Sequence, residues 1–211
     1  VVKLANPLTD DMTVLRPCLE IGLLENIKTN QAEEETIELY EIGSIFLNKP
    51  GENNLLFQEK HLNLILAQNG SIDLFRKVKG VVEYLAAALN LKVKFEPDVY
   101  GAKIFVDDME IGWAGEISAG TIRAFGLKKA AALAEIRLND LLRAVKNSRA
   151  KQYVEPPKHP AVSRDLAFVV NEKILYNNIK KQIINFSDLV KQADLFDVYQ
   201  GDKLGQGKKS L

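Results

Sequence analysis

A single cysteine, Cys18, stands among 211 residues. A lone thiol closes no internal disulfide and builds no cysteine-rich zinc cluster, so a reducing, cytoplasmic setting is expected. The two histidines, His61 and His159, lie far apart in sequence and match no metal-ligand spacing. Long apolar runs are missing too. The richest, Val81–Leu91 and Ala130–Leu142, are short and broken by charged residues, whereas a membrane-spanning helix needs about 20 apolar residues. No signal-peptide pattern opens the chain. Net charge is absent: 28 basic side chains balance 28 acidic ones, so no global field draws the protein to nucleic acid or to a membrane. Gly112, Gly115 and Gly120 lack dinucleotide-loop spacing and read as turn glycines. Paired acids at Asp10-Asp11 and Asp107-Asp108 read as solvated turns, and Glu33-Glu34-Glu35 as an exposed loop. No catalytic set and no metal site emerges from these residues.

What is present is ordinary globular material, 46% hydrophobic and 27% charged, which excludes a disordered or fibrous chain. The zero net charge hides an asymmetry. Residues 1–150 hold 18 basic and 21 acidic side chains, and residues 151–211 hold 10 and 7. The two parts are therefore expected to face different partners. The chain opens without Met and stops inside an apolar–polar alternation, which reads as a piece of a longer protein.

Periodicity divides the first part into elements. After the Asn6–Asp11 turn, where Thr9 or Asp10 could cap a helix, Leu15, Leu19, Leu23 and Leu24 follow helical spacing through Ile27, with Cys18 as a small core residue on that helix. Thr36–Leu47 alternates as a strand in which Gly43 permits a bulge or a close backbone approach. A loop at Lys49–Asn54 precedes a second strand, His61–Gln68, and the Asn69-Gly70 turn. Ser71–Asn90 is the clearest helix, with an Ile72, Phe75, Val78, Val82, Leu85, Leu89 stripe and Ser71 as its cap. Short strands follow at Lys92–Glu96, Lys103–Val106, Glu110–Trp113 and Gly115–Ile117. Lys128–Val145 reads as a helix or as helix and strand pieces. The layout is α+β, an antiparallel sheet flanked by helices.

Lys146–Lys158, polar, basic and closed by Pro156-Pro157, is the linker. Beyond it the pattern resets: a strand at Asp165–Val170, a helix at Ile174–Phe186, a strand at Leu189–Tyr199, a glycine-bearing loop at Gly201–Gly207, and a strand from Lys208. That order is the first part of a ferredoxin-like split βαβ sandwich, left incomplete. Two domains are expected, 1–150 and 151–211.

Several blocks are specific enough to name a family. Asn6-Pro7-Leu8, Leu15-Arg16, Gly22-Leu23-Leu24, Leu39–Gly43 and Ile111–Glu116 resemble the class II synthetase-like domain of the β subunit of bacterial phenylalanyl-tRNA synthetases. Ser163–Val170, Leu195–Gly201 and Gly207–Leu211 resemble that family's ferredoxin-fold anticodon-binding domain. The resemblance implies a non-catalytic β-subunit portion that assembles with a catalytic α subunit into an (αβ)2 heterotetramer and binds tRNA(Phe). ATP would belong to α, magnesium to the complete enzyme, and no cofactor to this part. By resemblance, Ala167, Asp197, Tyr199 and Ser210 match the anticodon-contact positions.

The residues bear on inactivity independently. A class II site needs a strand arginine for the α-phosphate, because a guanidinium binds bidentately, and Thr36–Leu47 contains no Arg or Lys. Ala130–Leu142 has Ala131, Ala132 and Ala134 where glycines would let a nucleotide approach, so each methyl is expected to fill nucleotide space. Arg137 reads as a salt-bridge residue. In the last part, alternation puts Phe196 and Val198 on one face, expected to pack on the helix Ile174–Phe186, and Asp197 and Tyr199 on the other. Tyr199 could stack on a base, Asp197 accept base N–H groups, and Ala167 leave room. Two rivals stay open: a stand-alone class II-fold enzyme that activates a carboxylic acid with ATP, and an interaction module unrelated to tRNA.

Overall fold

In the computed structural model, which describes all residues except 10–12, 52–54, 71–72, 149–154, 156–157 and 202–203, β-branched and alternating segments form a six-stranded sheet. Its order is β3(Thr36–Pro50), β4(Leu56–Gln68), β8(Ala130–Arg137), β7(Met109–Glu116), β6(Gly101–Val106) and β5(Val93–Asp98). Every neighbouring pair is antiparallel. The expectations for Asp10-Asp11, Glu52–Asn54, the Ser71 cap, Ile72 and Pro156-Pro157 lie outside the described residues. The chain divides into two compact units, Val1–Tyr153 and Val154–Leu211.

In the first unit the strand pleat sorts side chains into two cores. Leu62 and Leu66 of β4, with Ala132, Ala134 and Ile136 of β8, meet α2(Leu74–Ala88) and α4(Leu138–Asn147) on one face. Ile65 and Ala67, with Ala131 and Leu133, join α1(Glu20–Asn30) on the other, where Ile122 and Phe125 beside α3(Ala119–Ala124) also pack. Of the expected α2 stripe, Val78 and Val82 are buried and Phe75, Leu85 and Leu89 pack partly buried against the core, while Leu74 and Ala86, outside that stripe, complete a buried row at four-residue spacing.

Some boundaries differ from the sequence reading. The first helix begins only at Glu20. Leu15 belongs to the two-residue strand β2(Val14–Leu15), paired with β1(Val2–Lys3), and neither Thr9 nor Cys18 belongs to the helix. Pro17 explains this: it has no N–H and biases Arg16 away from helical backbone, so the run cannot be one helix. Lys128–Val145 resolves into β8 followed by α4. Glu110–Trp113 and Gly115–Ile117 fuse into one strand, β7, so Gly112 and Gly115 are not turn glycines. A Cβ on Gly112 would strike the Glu135 carbonyl of β8, and one on Gly115 would strike the Trp113 indole.

The second unit is built differently. Its ladder is β9(Val169–Asn171) against β10(Lys208–Ser210), and its helix is α5(Tyr176–Phe186). The strand expected at Leu189–Tyr199 shortens to one bridge, Tyr199 to Ser210. A residue joins a sheet only where a partner offers hydrogen bonds, and β10 is three residues long.

Candidate functional site

Ser210 sits at the centre of the second unit's ladder. Phe168 and Leu211 exchange both backbone hydrogen bonds, at 3.1 and 3.0 Å, and Tyr199 and Ser210 exchange theirs at 3.0 and 2.9 Å. Ser210 also stands opposite Val169. Residues directly opposite in a ladder share a face, so Val169, Ser210 and Tyr199 lie on one side. Ala167 lies two residues before Val169 and Asp197 two residues before Tyr199, both outside the strands, where no pleat fixes the side they face. Pairing brings Tyr199 and Ser210 side by side and sets Val169 on the other side of Ser210. Ala167 and Asp197 are exposed, and Tyr199 keeps 47% of its surface open.

Gly201 completes this arrangement, and sequence reasoning saw only a loop glycine there. The Tyr199 phenol lies over Gly201, where a Cβ would collide with the ring and hydroxyl. The signal available in the sequence was a glycine two residues after an aromatic at a strand end.

The opposite side of this unit corrects the sequence reading. Phe196 is 79% exposed and Val198 40% exposed, and α5 buries none of its residues. The expected packing of Phe196 and Val198 on the helix is therefore not made. Without a ladder to pleat it, the segment before Tyr199 meets α5 through polar contacts instead. One tie near the helix start is the Tyr176 hydroxyl, which donates to the Ala193 carbonyl at 2.9 Å.

In the first unit, the α1 face of the sheet carries polar residues at one end. Glu41, Asn63, Glu135 and Trp113 form one cross-strand row, and Gly43, His61 and Arg137 the next. The Asn63 amide donates to Glu135 Oε2 at 3.2 Å. His61 Nε2 lies 3.1 Å from Glu59 Oε2, and its Nδ1 lies 3.3 Å from Glu135 Oε1, without the alignment of a hydrogen bond. The nearby His61 ring above all, then Asn63 and the Arg137 charge, hold the Glu135 carboxyl below its usual range against the effect of burial. Gly43 makes the close approach its sequence suggested. The Arg16 guanidinium occupies the space a side chain at 43 would take, and it bonds the Ser44 carbonyl and the Glu41 carboxylate.

The cations of β3 and β8 are engaged by other groups of the protein. The one cation on β3 is Lys49, whose ammonium lies 3.8 Å from the centre of the Phe57 ring. Arg137 is engaged by Asp140 at 2.8 Å and by the Glu110 carbonyl, the salt-bridge role read from sequence. Contrary to expectation, the alanine methyls of β8 do not occupy nucleotide space. Ala132 and Ala134 point into the core under α2 and α4, and Ala131 joins the buried cluster with Leu127, so these methyls fill protein interior rather than nucleotide space. The pleat decides this, since alternate residues of β8 face opposite sides.

The antiparallel sheet with its helices defines the class: a class II aminoacyl-tRNA synthetase fold. A solved pyrrolysyl-tRNA synthetase from Desulfitobacterium hafniense superposes with a TM-score of 0.56 over 70% of this chain and 54% of its own, at 16% identity. At that identity the likeness concerns fold alone. The family is set by sequence. Residues 1–138 match the family described as phenylalanyl tRNA synthetase beta chain CLM domain, and residues 157–211 match the ferredoxin-fold anticodon binding domain. The chain belongs to the phenylalanyl-tRNA synthetase β-chain family. Relatives named phenylalanine–tRNA ligase beta subunit include those of Geobacillus kaustophilus (34% identical, all of this chain, 28% of the relative), Dehalococcoides mccartyi (32%, all of this chain, 27%) and Fusobacterium nucleatum (31%, all of this chain, 29%). The chain thus spans under a third of these relatives' length.

Proposed function

We propose that this chain is a portion of a phenylalanine–tRNA ligase β subunit in which residues 1–150 form a non-catalytic class II-like domain and residues 151–211 an anticodon-binding domain. The first supports assembly with a catalytic α subunit and a second αβ unit in an (αβ)2 enzyme of the cytoplasm. The second binds the anticodon of tRNA(Phe) through Ala167, Asp197, Tyr199 and Ser210. ATP is consumed on α, and magnesium serves the complete enzyme. The observation that carries this reading is the shared face of the ladder. Tyr199 and Ser210 pair directly there, and the tyrosine ring stays half open over the small Gly201. An aromatic flanked by small and polar groups on an open sheet face is a stacking platform for an unpaired base. The commitment of Arg137 to Asp140 and Glu110 disfavours the rival stand-alone ATP-dependent enzyme.

The test is charging of tRNA(Phe) by the complete α and β subunits. Base–aromatic stacking contributes roughly 1–3 kcal/mol, so Tyr199→Ala lowers charging efficiency about 10-fold or more, and Tyr199→Phe retains most of it. Unchanged charging by Tyr199→Ala with an intact fold would remove the stacking role.

A further inference from the structure

The strongest unused feature of the molecule is the buried histidine of the first unit. His61 is 4% exposed, and each of its ring nitrogens faces a carboxylate, Glu59 at 3.1 Å and Glu135 at 3.3 Å. A neutral imidazole carries one N–H and can satisfy only one of these acceptors. With one carboxylate hydrogen-bonded at Nε2 and a second at ion-pair distance from Nδ1, the doubly protonated ring is the form that both acids favour. We infer that His61 is held as an imidazolium and acts as a proton-operated latch between β4 and β8.

The surroundings show what the latch holds. From β4 itself comes Glu59. From β8 come Glu135 and, directly opposite His61, Arg137. From β3 the opposite residue is Gly43, covered by the Arg16 guanidinium, with Glu41 bonded to that guanidinium. From the entry to α1, Cys18 and Glu20 feel the charge of Glu135, and burial raises the pKa of both. Glu135 is the joint: it meets His61 with one oxygen and the Asn63 amide with the other. Asn63 is fully buried, and its own Oδ1 has no partner.

Loss of the His61 proton leaves one carboxylate facing a lone pair in a site that water scarcely reaches. Glu135, the more exposed of the two, is the one free to turn outward. Its departure strips the Asn63 amide of its hydrogen bond, leaving a buried amide unpaired at both ends, which is costly. One deprotonation thus unlinks two adjacent cross-strand rows. The sign follows from the groups. Burial pulls the His61 pKa down, but Glu135 and Glu59 outweigh it and hold it above the ordinary value. The contribution is therefore complete below about pH 6.5 and disappears as pH rises through the folded-state pKa. Glu135, held low, adds stability above its ordinary titration range and loses it as pH falls through its folded-state pKa. The latch is closed between those limits.

NMR titration of the ring protons in the 211-residue chain is expected to give His61 a midpoint above the ordinary histidine value of about 6.5. Glu135→Gln, close to isosteric, is expected to lower the His61 midpoint by about one pH unit, a tenfold loss of proton affinity. Wild-type melting temperature then steps down as pH crosses the His61 midpoint, and His61→Gln abolishes the step. A His61 midpoint at or below the ordinary histidine value, or one indifferent to Glu135→Gln, overturns the latch. Should either variant fail to fold, the wild-type His61 midpoint decides alone.

Discussion

The two units reach order by different means. Val1–Tyr153 buries two apolar clusters, one on each face of a six-stranded sheet, and fits a polar row of Glu41, Asn63 and Glu135 between strands. Val154–Leu211 has no buried side chain among its described residues; a short ladder, one helix and a few hydrogen bonds hold it. A two-stranded ladder has too little surface to stabilise itself, whereas six strands with helices on both faces do. The difference teaches where mutation acts on stability and where on a surface. The first unit is governed by packing, and the second presents its side chains to whatever meets them.

Three substitutions would break or sharpen that contrast. The largest effect is expected from Ile104→Ala, which removes a fully buried side chain from the centre of the α2–α4 core. Comparable truncations cost about 2–5 kcal/mol, and chemical denaturation of the chain measures it. Gly112→Ala comes next. The added methyl meets the Glu135 carbonyl, a backbone atom that cannot rotate aside, so β7 must separate from β8 at a cost of about 1–3 kcal/mol. A melt that matches wild type would mean the strands part there more easily than their pairing implies. The smallest effect is expected from Phe196→Ser in the second unit. With the ring mostly in solvent, stability should change by less than about 0.5 kcal/mol. A loss near that of Ile104→Ala would show that Phe196 is covered in solution and erase the contrast.

Much of the first unit was legible in sequence because its strands alternate cleanly and its longest helix keeps a single stripe. The four residues of the proposed anticodon face came from matching family blocks, with alternation agreeing for Asp197 and Tyr199. Gly201 was missed because its role depends on where the Tyr199 ring folds back, which no spacing rule states. The strand at Leu189–Tyr199 was over-read. Apolar alternation marks a segment able to pair, but a ladder also needs a partner of matching length.

The sequence by itself determined the family, the longest helix and most strands of the first unit, and the pair of faces each strand would present. Those follow from local backbone chemistry and from a pleat of period two. The tertiary structure alone decided which face is covered and what meets across it. It sent Ala132 and Ala134 into the core, laid Arg16 over Gly43, and set Glu59 and Glu135 on either side of His61. Such contacts depend on register between strands distant in sequence, and a one-residue slip in register would exchange every face.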